Sequence, residues 1–381
     1  YTDERYLYYP RPRLIDLLAG ALTVEQLPMY PASWYEERHI QMTLGQRIVR
    51  LEPTAHRVIG ANGSVDRYDL LVLATGAHSF IPPLPGGELG VYALRTMQDA
   101  LYLLERVATA KRVVVLGGGL LGLDTSAALS ARDNIEVTVV EMQPRLLPRQ
   151  LDAEGASVLQ SILEGKGLRI LTGDSCVQIE TDGSTQRIRL KSGRTFDADL
   201  VLASAGVRPN IELAQQAGLA CSRGVLVNEC LLTSDASIYA VGDVAEFNQR
   251  VWGIIPAALA QARVAAAQIT GDTSTLYQDI VPSTTLQVTG IDLTSIGEVN
   301  PQGDGFIEVR RTESIAGVYK KLVIRAGRIV GAIVLGDKSS VRAINQLIAR
   351  QTDVSAYVDR LLSNGFDLAK LAQAQPPATR A

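Results

Sequence analysis

The chain has 381 residues, of which 46% are hydrophobic and 20% charged, and its formal net charge is -3 at pH 7. This length allows two or three domains, and the composition is typical of a globular protein in water. A nearly neutral chain offers no excess of basic residues to a nucleic acid or a membrane surface, so neither partner is expected. No apolar run approaches the ~18 residues of a membrane span, and residues 1–30 do not show the basic and apolar regions typical of a signal peptide. We therefore expect a cytoplasmic location.

The predicted elements up to residue 110 are short strands with two helical stretches. A Pro-punctuated opening leads to a helix-like stretch at residues 33–39. Three strand signals follow, and the last runs into an Asn-Gly turn. A buried strand then ends at Thr75 and Gly76, before a segment with helical spacing. The predicted strands span residues 40–44, 46–53, 56–63 and 68–76, and the predicted helix spans residues 96–110.

From Lys111 onward, strands alternate with helices, which predicts a parallel sheet with right-handed crossovers. A hairpin at residues 176–193 interrupts the alternation. Short strands from residue 281 onward predict an α+β cap, and the tail from Ser340 is predicted to be helical with a frayed end. The predicted helices span residues 123–132 and 153–167, and the predicted strands include residues 135–141, 168–173, 199–206, 284–290, 306–311 and 319–337.

The cysteines and histidines do not form a recognisable reactive site. Cys176, Cys221 and Cys230 lie far apart, without a CxxC or CxxxxC pair. They are too few for an iron–sulfur or zinc site and have the wrong spacing for a redox disulfide, so we expect structural thiols. We expect no metal site and no catalytic acid–base residue. The histidines are expected at the surface or in loops; they are His39, His56 and His78.

The stretch VVVLGGGLLGLDTSAAL contains the motif G-x-G-x-x-G. The first glycine permits a tight turn, the second lets the backbone approach a pyrophosphate, and the third lets the helix lie close to the strand. The helix N-terminus then presents unpaired amides and partial positive charge to the phosphate. An apolar strand before the motif and a helix after it favour dinucleotide binding over a plain glycine turn. The predicted binding residues are Gly117, Gly118, Gly119, Leu120, Leu121 and Gly122.

Two acidic residues follow strand signals. Glu141 ends the strand after the glycine motif, 22 residues beyond Gly119. A carboxylate there accepts hydrogen bonds from an adenosine ribose and repels a 2'-phosphate, which favours NADH over NADPH. The segment IYAVGDV places Gly242 at a strand end, and Asp243 can accept hydrogen bonds from a polyol chain; a plain turn is the alternative.

Four segments in this order resemble the pyridine-nucleotide-disulfide oxidoreductase superfamily: YDLLVLATGA, VVVLGGGLLGL, ASAGVRPN and IYAVGDV. The resemblance covers about residues 1–340, and YYPRPRL, PRQLD and GDVAEF are most similar to NADH:rubredoxin reductases and the flavin–NADH half of assimilatory nitrite reductases. It implies an α/β fold with two Rossmann-like dinucleotide-binding domains and a small α+β C-terminal domain. The implied parts are an FAD domain at residues 1–109 and 232–279, an inserted NAD domain at 110–231, the α+β domain at 280–340 and a helical tail at 341–381.

The resemblance also implies cofactor-binding residues. NADH is held by Gly117 to Gly122 and Glu141, and Gly206 to Pro209 close the NAD domain. A helix beginning at Pro256 and Ala257 points its positive dipole at the flavin, which stabilises the reduced, anionic form; an ordinary helix start is the alternative. The residues implied to hold FAD are Arg11, Pro12, Ala74, Thr75, Gly76, Gly242 and Asp243.

Two departures from the family shape the functional expectation. The family opens with a strand and a G-x-G-x-x-G loop for the FAD pyrophosphate, which residues 1–381 lack, so we expect a leading segment before Tyr1. Asp3 or Glu4 then ends the second strand of that fold. The cysteine pair and the His–Glu base of the disulfide-reducing branches, and the cysteine of the single-cysteine branches, are also missing. A flavin without a protein redox group suits a one-electron acceptor.

We therefore expect an FAD-dependent NADH oxidoreductase that delivers electrons to a small iron protein or a partner redox subunit. The alternatives are an NADH oxidase or quinone-type reductase, and an NAD-binding scaffold subunit without flavin. A complete nitrite reductase is not expected on these residues, because no cysteine follows Cys230. Lys320 and Lys321 either face an acidic acceptor or form a solvated strand edge. Residues 280–340 could form a homodimer interface.

Overall fold

The computed structural model describes residues 1–87, 90–182, 185–286, 291–313 and 316–374. The chain forms two compact units, and each is assembled from three segments. Unit 1 contains Tyr1–Ile81, Ala93–Leu104 and Ala205–Ile280, and unit 2 contains Pro82–Tyr92, Glu105–Ser204 and Val281–Ala381.

Helices and short strands follow one another along the whole described chain. The helices are α1 (Arg13–Leu18), α2 (Ala32–Glu36), α3 (Met97–Val107), α4 (Leu120–Ser130), α5 (Ala153–Gly165), α6 (Glu212–Gln216), α7 (Ile255–Ile269), α8 (Val341–Ala349) and α9 (Leu368–Ala374). The strands are β1 (Ile48–Glu52), β2 (Arg57–Gly60), β3 (Val65–Arg67), β4 (Leu71–Leu73), β5 (Ala77–Ser79), β6 (Val91–Tyr92), β7 (Arg112–Leu116), β8 (Glu136–Glu141), β9 (Arg169–Thr172), β10 (Cys176–Asp182), β11 (Thr185–Leu190), β12 (Thr195–Ala198), β13 (Leu200–Ala203), β14 (Val207–Pro209), β15 (Val225–Leu226), β16 (Ile238–Ala240), β17 (Ala245–Glu246), β18 (Ser283–Leu286), β19 (Leu293–Gly297), β20 (Phe306–Glu313), β21 (Val318–Arg325) and β22 (Arg328–Leu335).

A parallel five-stranded sheet with the order β6-β13-β7-β8-β9 forms the first part of unit 2. The four residues of β13 are all buried, as are the last four of β7. Such continuous apolar runs are typical of parallel strands, because helices cover both faces of the sheet. Helix α4 follows β7 and helix α5 follows β8, so the predicted alternation of strands and helices, and with it the α/β fold class, is confirmed.

Two antiparallel sheets complete unit 2. One is the three-stranded sheet β10-β11-β12, and the other is the five-stranded sheet β18-β19-β22-β21-β20 near the C-terminus. Helix α8 packs its buried face against the second sheet, and α9 belongs to the same core. The buried residues of α8 recur at helical spacing, which places them on one face: Ala343, Ile344, Leu347 and Ile348.

Unit 1 contains four small sheets. Strands β1-β2-β3 form an antiparallel sheet, β5 pairs with β14, β15 with β17, and β4 with β16. The pair β4 and β16 is parallel, with Leu73 opposite Ala240, so both strands end at the same edge. The loops that begin at Ala74 and Val241 therefore start next to each other, and the Val241 N–H donates to the Leu73 carbonyl at 3.0 Å.

One predicted strand is wrong. Residues 40–44 form no strand, since their segment has no continuous partner strand with which to exchange backbone hydrogen bonds. Isolated backbone hydrogen bonds to the N-terminal residues take the place of a β-ladder. The Thr2 N–H donates to the Thr43 carbonyl, and the Gln46 N–H donates to the Thr2 carbonyl. Parts of three other predictions lie outside the described residues, namely the hairpin turn at 183–184, the strand end at 287–290 and the frayed tail at 375–381.

Within the residues that the structure describes, no helix is both long enough and apolar enough to cross a bilayer. Helix α7 has 15 residues, against the roughly 20 that the hydrocarbon core requires.

Asp199 fixes the start of β7 and provides a test of the fold of unit 2. Its carboxylate accepts from the Lys111 and Arg112 N–H groups at 3.0 and 2.8 Å and pairs with the Arg112 guanidinium at 2.7 Å. That guanidinium is the main cause of the lowered pKa of Asp199. We expect Asp199→Ala to lower the free energy of unfolding by about 2 kcal/mol, measured by urea denaturation at pH 7.

The Asp199 effect should depend on pH. Because the folded-state pKa of Asp199 is depressed, its contribution is present above the ordinary carboxyl pKa of about 4 and is lost as the pH falls below it. The difference between wild type and variant should therefore shrink in acid. A difference that is the same at pH 7 and in acid would contradict the ion pair.

Candidate functional site

The three motif glycines of unit 2 have three different geometries. Gly117 has a φ of +124°, a left-handed conformation that glycine adopts easily and other residues rarely do. A Cβ on Gly122 would lie 2.1 Å from the Gly117 carbonyl oxygen, so only glycine lets α4 approach the turn this closely. A Cβ on Gly119 would meet no described atom within 4 Å. The space beside Gly119 is therefore open to a ligand.

Helix α4 begins directly after this open position. Gly119 is its N-cap and provides no side chain to cap the first turn. The first N–H groups of a helix have no partner within the helix, and they carry partial positive charge. Leu120 and Leu121, the first two residues of α4, are half-buried. The site thus has the donor set and the space that a pyrophosphate requires.

The carboxylate of Glu141 lies against the glycine loop and is only 9% exposed. One oxygen accepts from the Gly118 N–H at 2.6 Å, and the other accepts from the Gln143 N–H at 2.7 Å. A carboxylate oxygen can accept a second hydrogen bond, so each oxygen can still receive a hydroxyl donor. A phosphate group at the same place would meet negative charge. Glu141 is therefore suited to a ribose diol and unsuited to a 2'-phosphate.

Arg95 organises the corresponding region of unit 1. Its guanidinium pairs with Asp243 at 2.6 Å and donates to the Ala77 carbonyl at 3.0 Å. Its own carbonyl accepts from the Arg11 guanidinium at 2.5 Å. Arg95 thereby brings together three segments that the sequence analysis assigned to FAD, around Arg11, Gly76 and Asp243. Arg95 was not predicted from the sequence.

A sequence signal does mark the position of Arg95. Thr96 and Asp99 form a reciprocal cap: the Asp99 carboxylate accepts from the Thr96 N–H at 2.8 Å, and the Asp99 N–H donates to the Thr96 hydroxyl at 3.2 Å. A Thr-x-x-Asp pattern is typical of a helix start. It predicts that α3 begins near residue 96 and that Arg95 precedes it, but not which carboxylate Arg95 contacts.

The N-terminal segment adds a second charged group to unit 1. Glu4 pairs with Arg11 at 2.9 Å and accepts from the Tyr9 hydroxyl. Burial, followed by the hydrogen bond to Glu4, raises the pKa of Tyr9, so this phenol stays protonated. Pro12 is the N-cap of α1 and is half-buried. Arg11 is therefore held by a carboxylate on one side and by Arg95 on the other.

The Thr75 loop is joined to the segment that follows Gly206. The Asn210 side chain donates to the Thr75 carbonyl at 2.7 Å, and the Thr75 hydroxyl donates to the Asn210 carbonyl at 2.9 Å. The Phe80 N–H donates to the Gly206 carbonyl at 2.9 Å. Gly206 to Pro209 thus lie in unit 1, next to the Thr75 loop, and not in the unit that holds the glycine motif.

Helix α7 supports the loop that contains Gly242 and Asp243. The side-chain oxygen of the buried Gln261 accepts from the Gly242 N–H at 2.7 Å. Gly242 has a φ of +77°, which favours glycine at this turn. At the start of the helix, Pro256 is exposed and Ala257 is buried. The structure therefore places Asp243 and α7 side by side in unit 1.

Within the described residues, the cysteines form neither a disulfide nor a metal site. The thiols of Cys176, Cys221 and Cys230 are unpaired and half-buried, and burial raises the pKa of Cys176 and Cys221. Among the described residues, no group of three His, Cys, Asp or Glu side chains could hold a metal ion. Lys321 is 1% exposed, so it neither faces an acceptor nor forms a solvated edge, and both interpretations of Lys321 are wrong.

Comparison with known proteins identifies the family. The pyridine nucleotide-disulphide oxidoreductase family matches residues 2–267, and the rubredoxin NAD+ reductase C-terminal domain matches residues 282–352. The chain therefore belongs to the pyridine nucleotide-disulphide oxidoreductase family. The superfamily predicted from the sequence is confirmed, together with FAD and NADH as the cofactors of that family.

Individual relatives differ in how much of them the chain spans. It is 33% identical over 353 residues to a nitrite reductase [NAD(P)H] of Bacillus subtilis, covering 92% of this chain and 44% of the relative. It is 27% identical to the NADH-rubredoxin oxidoreductase of Clostridium acetobutylicum, and the match covers 95% of this chain and 91% of the relative. A ferredoxin reductase structure from Rhodopseudomonas palustris superimposes with a TM-score of 0.87 at 29% identity, covering 97% of this chain and 92% of that one. The chain spans less than half the length of the nitrite reductases it matches.

The contrast between Gly122 and Gly119 can be tested directly. We expect Gly122→Ala to lower the free energy of unfolding by about 3 kcal/mol, because its methyl group would collide with the Gly117 carbonyl. Gly119→Ala should leave unfolding nearly unchanged and raise the KM for NADH, because its methyl group would fill the open space. Thermal unfolding and NADH kinetics of both variants would measure this. Equal free energies of unfolding for the two variants would contradict the roles assigned to Gly122 and Gly119.

Proposed function

We propose that this chain oxidises NADH and passes the electrons, through FAD, to a one-electron protein acceptor. The observation that carries this proposal is the glycine loop with its buried carboxylate: Gly119 is open to a ligand, and Glu141 lies within hydrogen-bonding distance of the same loop. Bound FAD would take up the hydride of NADH and release its electrons singly. The chain's own residues bind and orient both cofactors.

For NADH, the proposed residues act on two parts of the dinucleotide. The N–H groups at the start of α4 would bind the pyrophosphate, and Glu141 would accept the adenosine ribose hydroxyls. The proposed NADH-binding residues are Gly117, Gly118, Gly119, Leu120, Leu121, Gly122 and Glu141.

For FAD, the donors and acceptors of unit 1 fit a polyol and a phosphate. Asp243 would accept hydroxyl donors from the ribityl chain, while Arg95 holds its carboxylate in place. Arg11 and Arg95 bring positive charge to the same region, which suits the FAD phosphates. We place Gly206 with this group, since it lies in unit 1. The proposed residues are Arg11, Pro12, Ala74, Thr75, Gly76, Arg95, Gly206, Gly242, Asp243, Pro256 and Ala257.

Two observations support a protein acceptor. The described cysteines are unpaired thiols, so they offer no disulfide to receive the electrons. The similar proteins that the chain spans along most of their length include an NADH-rubredoxin oxidoreductase and a ferredoxin reductase. We propose an acceptor of this small iron-protein class, or a partner redox subunit. We also propose a cytoplasmic location and a homodimer formed through residues 280–340. We keep the five-part domain division predicted from the sequence, except that residues 205–231 go with the FAD domain because they lie in unit 1.

Stopped-flow spectroscopy on the full chain loaded with FAD tests this function. NADH should bleach the flavin absorbance without oxygen, and oxidised rubredoxin or ferredoxin should restore it at a rate at least equal to turnover. Reoxidation by oxygen should be much slower. Fast reoxidation by oxygen would support an NADH oxidase instead, and a chain that binds no flavin would support the scaffold alternative.

Replacing Glu141 tests the choice of nucleotide. Glu141→Ala removes an ionised acceptor from the ribose, which should cost NADH binding about 1.5 to 3 kcal/mol, on the order of 10- to 150-fold in KM. Glu141→Gln keeps one acceptor oxygen but loses the charge, so it should reduce discrimination against NADPH with a smaller loss for NADH. KM values for both nucleotides measure this. An unchanged NADH to NADPH ratio in both variants would show that Glu141 does not contact the ribose.

A further inference from the structure

The loop at residues 142–152 joins the strand that ends in Glu141 to helix α5 and packs against the glycine motif. Leu146 and Leu147 are both fully buried. The Leu147 N–H donates to the Gly118 carbonyl at 3.2 Å, and a Cβ on Gly118 would lie 2.7 Å from a methyl carbon of Leu146. This loop therefore packs against the backbone of the proposed NADH site at Gly118.

Leu147 holds a backbone conformation that needs support. Its φ is +47°, in the left-handed region that leucine disfavours. A residue stays there only when its surroundings fix it. Part of the support comes from the loop itself, since the Gln150 and Leu151 N–H groups donate to the Leu147 carbonyl at 2.9 Å. Residues outside the loop also hold it, beginning with Gly118, whose carbonyl accepts from the Leu147 N–H.

The C-terminal sheet and its β19–β20 loop, which belong to the same unit, hold the second half of the loop. Asp152, the last residue of the loop, caps α5 by accepting from the Gly155 N–H at 3.0 Å. The Tyr319 hydroxyl donates to Asp152 at 2.6 Å, and the Lys321 ammonium lies 3.2 Å from the same oxygen. The Asn300 side chain donates to the Pro148 and Leu151 carbonyls at 3.3 and 3.2 Å.

The charges in this cluster compensate one another. Two carboxylates, Asp152 and Glu308, face two cations: Lys321 lies 3.2 and 3.0 Å from them with its side chain 2% exposed, and Arg310 also pairs with both. Burial acts to raise the pKa of Asp152, but the hydrogen bonds from Tyr319 and Gly155 and the Lys321 charge outweigh it, so the pKa is lowered. Asp152 is thus ionised and held in one orientation at the end of loop 142–152. Because burying an ion pair contributes little net stability, a role in fixing one conformation is the better explanation for it.

We propose that Asp152, held by Tyr319 and Lys321 of the C-terminal sheet, is a positioning residue for NADH. It fixes loop 142–152, and that loop holds Gly118 and the backbone next to Glu141 in the geometry that binds the dinucleotide. The inference rests on the proposed function, because it takes the glycine loop as the NADH site. Releasing Asp152 should weaken NADH binding without changing the flavin or the chemical step.

The test removes single groups and compares KM with kcat on the full FAD-loaded chain. Tyr319→Phe deletes only the hydroxyl, and Asp152→Asn keeps a good helix cap while removing the charge that faces Lys321. The matched control is Thr312→Val, which deletes a hydroxyl that donates from the same sheet to Glu154 in the first turn of α5. Fluorescence titration with NADH gives Kd independently of turnover.

We expect Tyr319→Phe and Asp152→Asn to raise the Kd and KM for NADH about tenfold, equivalent to ~1.4 kcal/mol. Their kcat at saturating NADH and their flavin spectra should stay unchanged, and Thr312→Val should bind NADH like the wild type. A lowered melting temperature with unchanged Kd for NADH in both variants would overturn the proposal, because the cluster would then be merely structural. Wild type that fails to bind NADH would instead refute the proposed function.

Discussion

The structure of unit 2 depends on the contact between a buried carboxylate and a glycine turn. Glu141 ends β8 and accepts from the Gly118 N–H, while the Gly117 N–H donates to the Val140 carbonyl at 2.8 Å. The turn after β7 is therefore attached to the end of the neighbouring strand by two hydrogen bonds. Beside this attachment, the space at Gly119 and the start of α4 stays free of other described atoms. A dinucleotide phosphate needs that arrangement.

In unit 1, a long basic side chain holds the segments of the proposed site together, whereas in unit 2 backbone amides hold the glycine turn. Arg95 contacts Asp243, Ala77 and Arg11, so a single guanidinium and its carbonyl assemble a site from segments far apart in sequence. Parallel pairing of β4 with β16 had already placed two of these segments at one sheet edge. The ends of parallel strands are where ligands bind in open α/β sheets. In the proposed sites, the two units would therefore hold their cofactors by different physical means.

The sequence predicted features that depend on local spacing, and it missed those that depend on distant contacts. Glycine spacing and strand–helix alternation are local, so the turn at Gly117 and the parallel sheet were predicted correctly. Residues 40–44 alternate like a strand, but a strand also needs a partner that local sequence does not reveal. Arg95 was missed and Lys321 was misinterpreted for the same reason, since a carboxylate partner of each, Asp243 and Asp152, lies more than a hundred residues away in the chain. The charge of Lys321 suggested exposure, and only the fold shows the two carboxylates that allow its burial.

Hydrogen exchange of the full chain, with and without NADH, is the most direct test that the glycine loop of unit 2 holds the nucleotide. Backbone amides of Gly118 to Leu121 and of Gln143 lie at the proposed site, so the account predicts slower exchange in residues 117–123 and 141–147 when NADH is present. Exchange in β20 and β21, whose amides are already paired in the C-terminal sheet, should change little. Protection that appears only outside residues 117–147 of unit 2, or no protection at saturating NADH, would contradict the account.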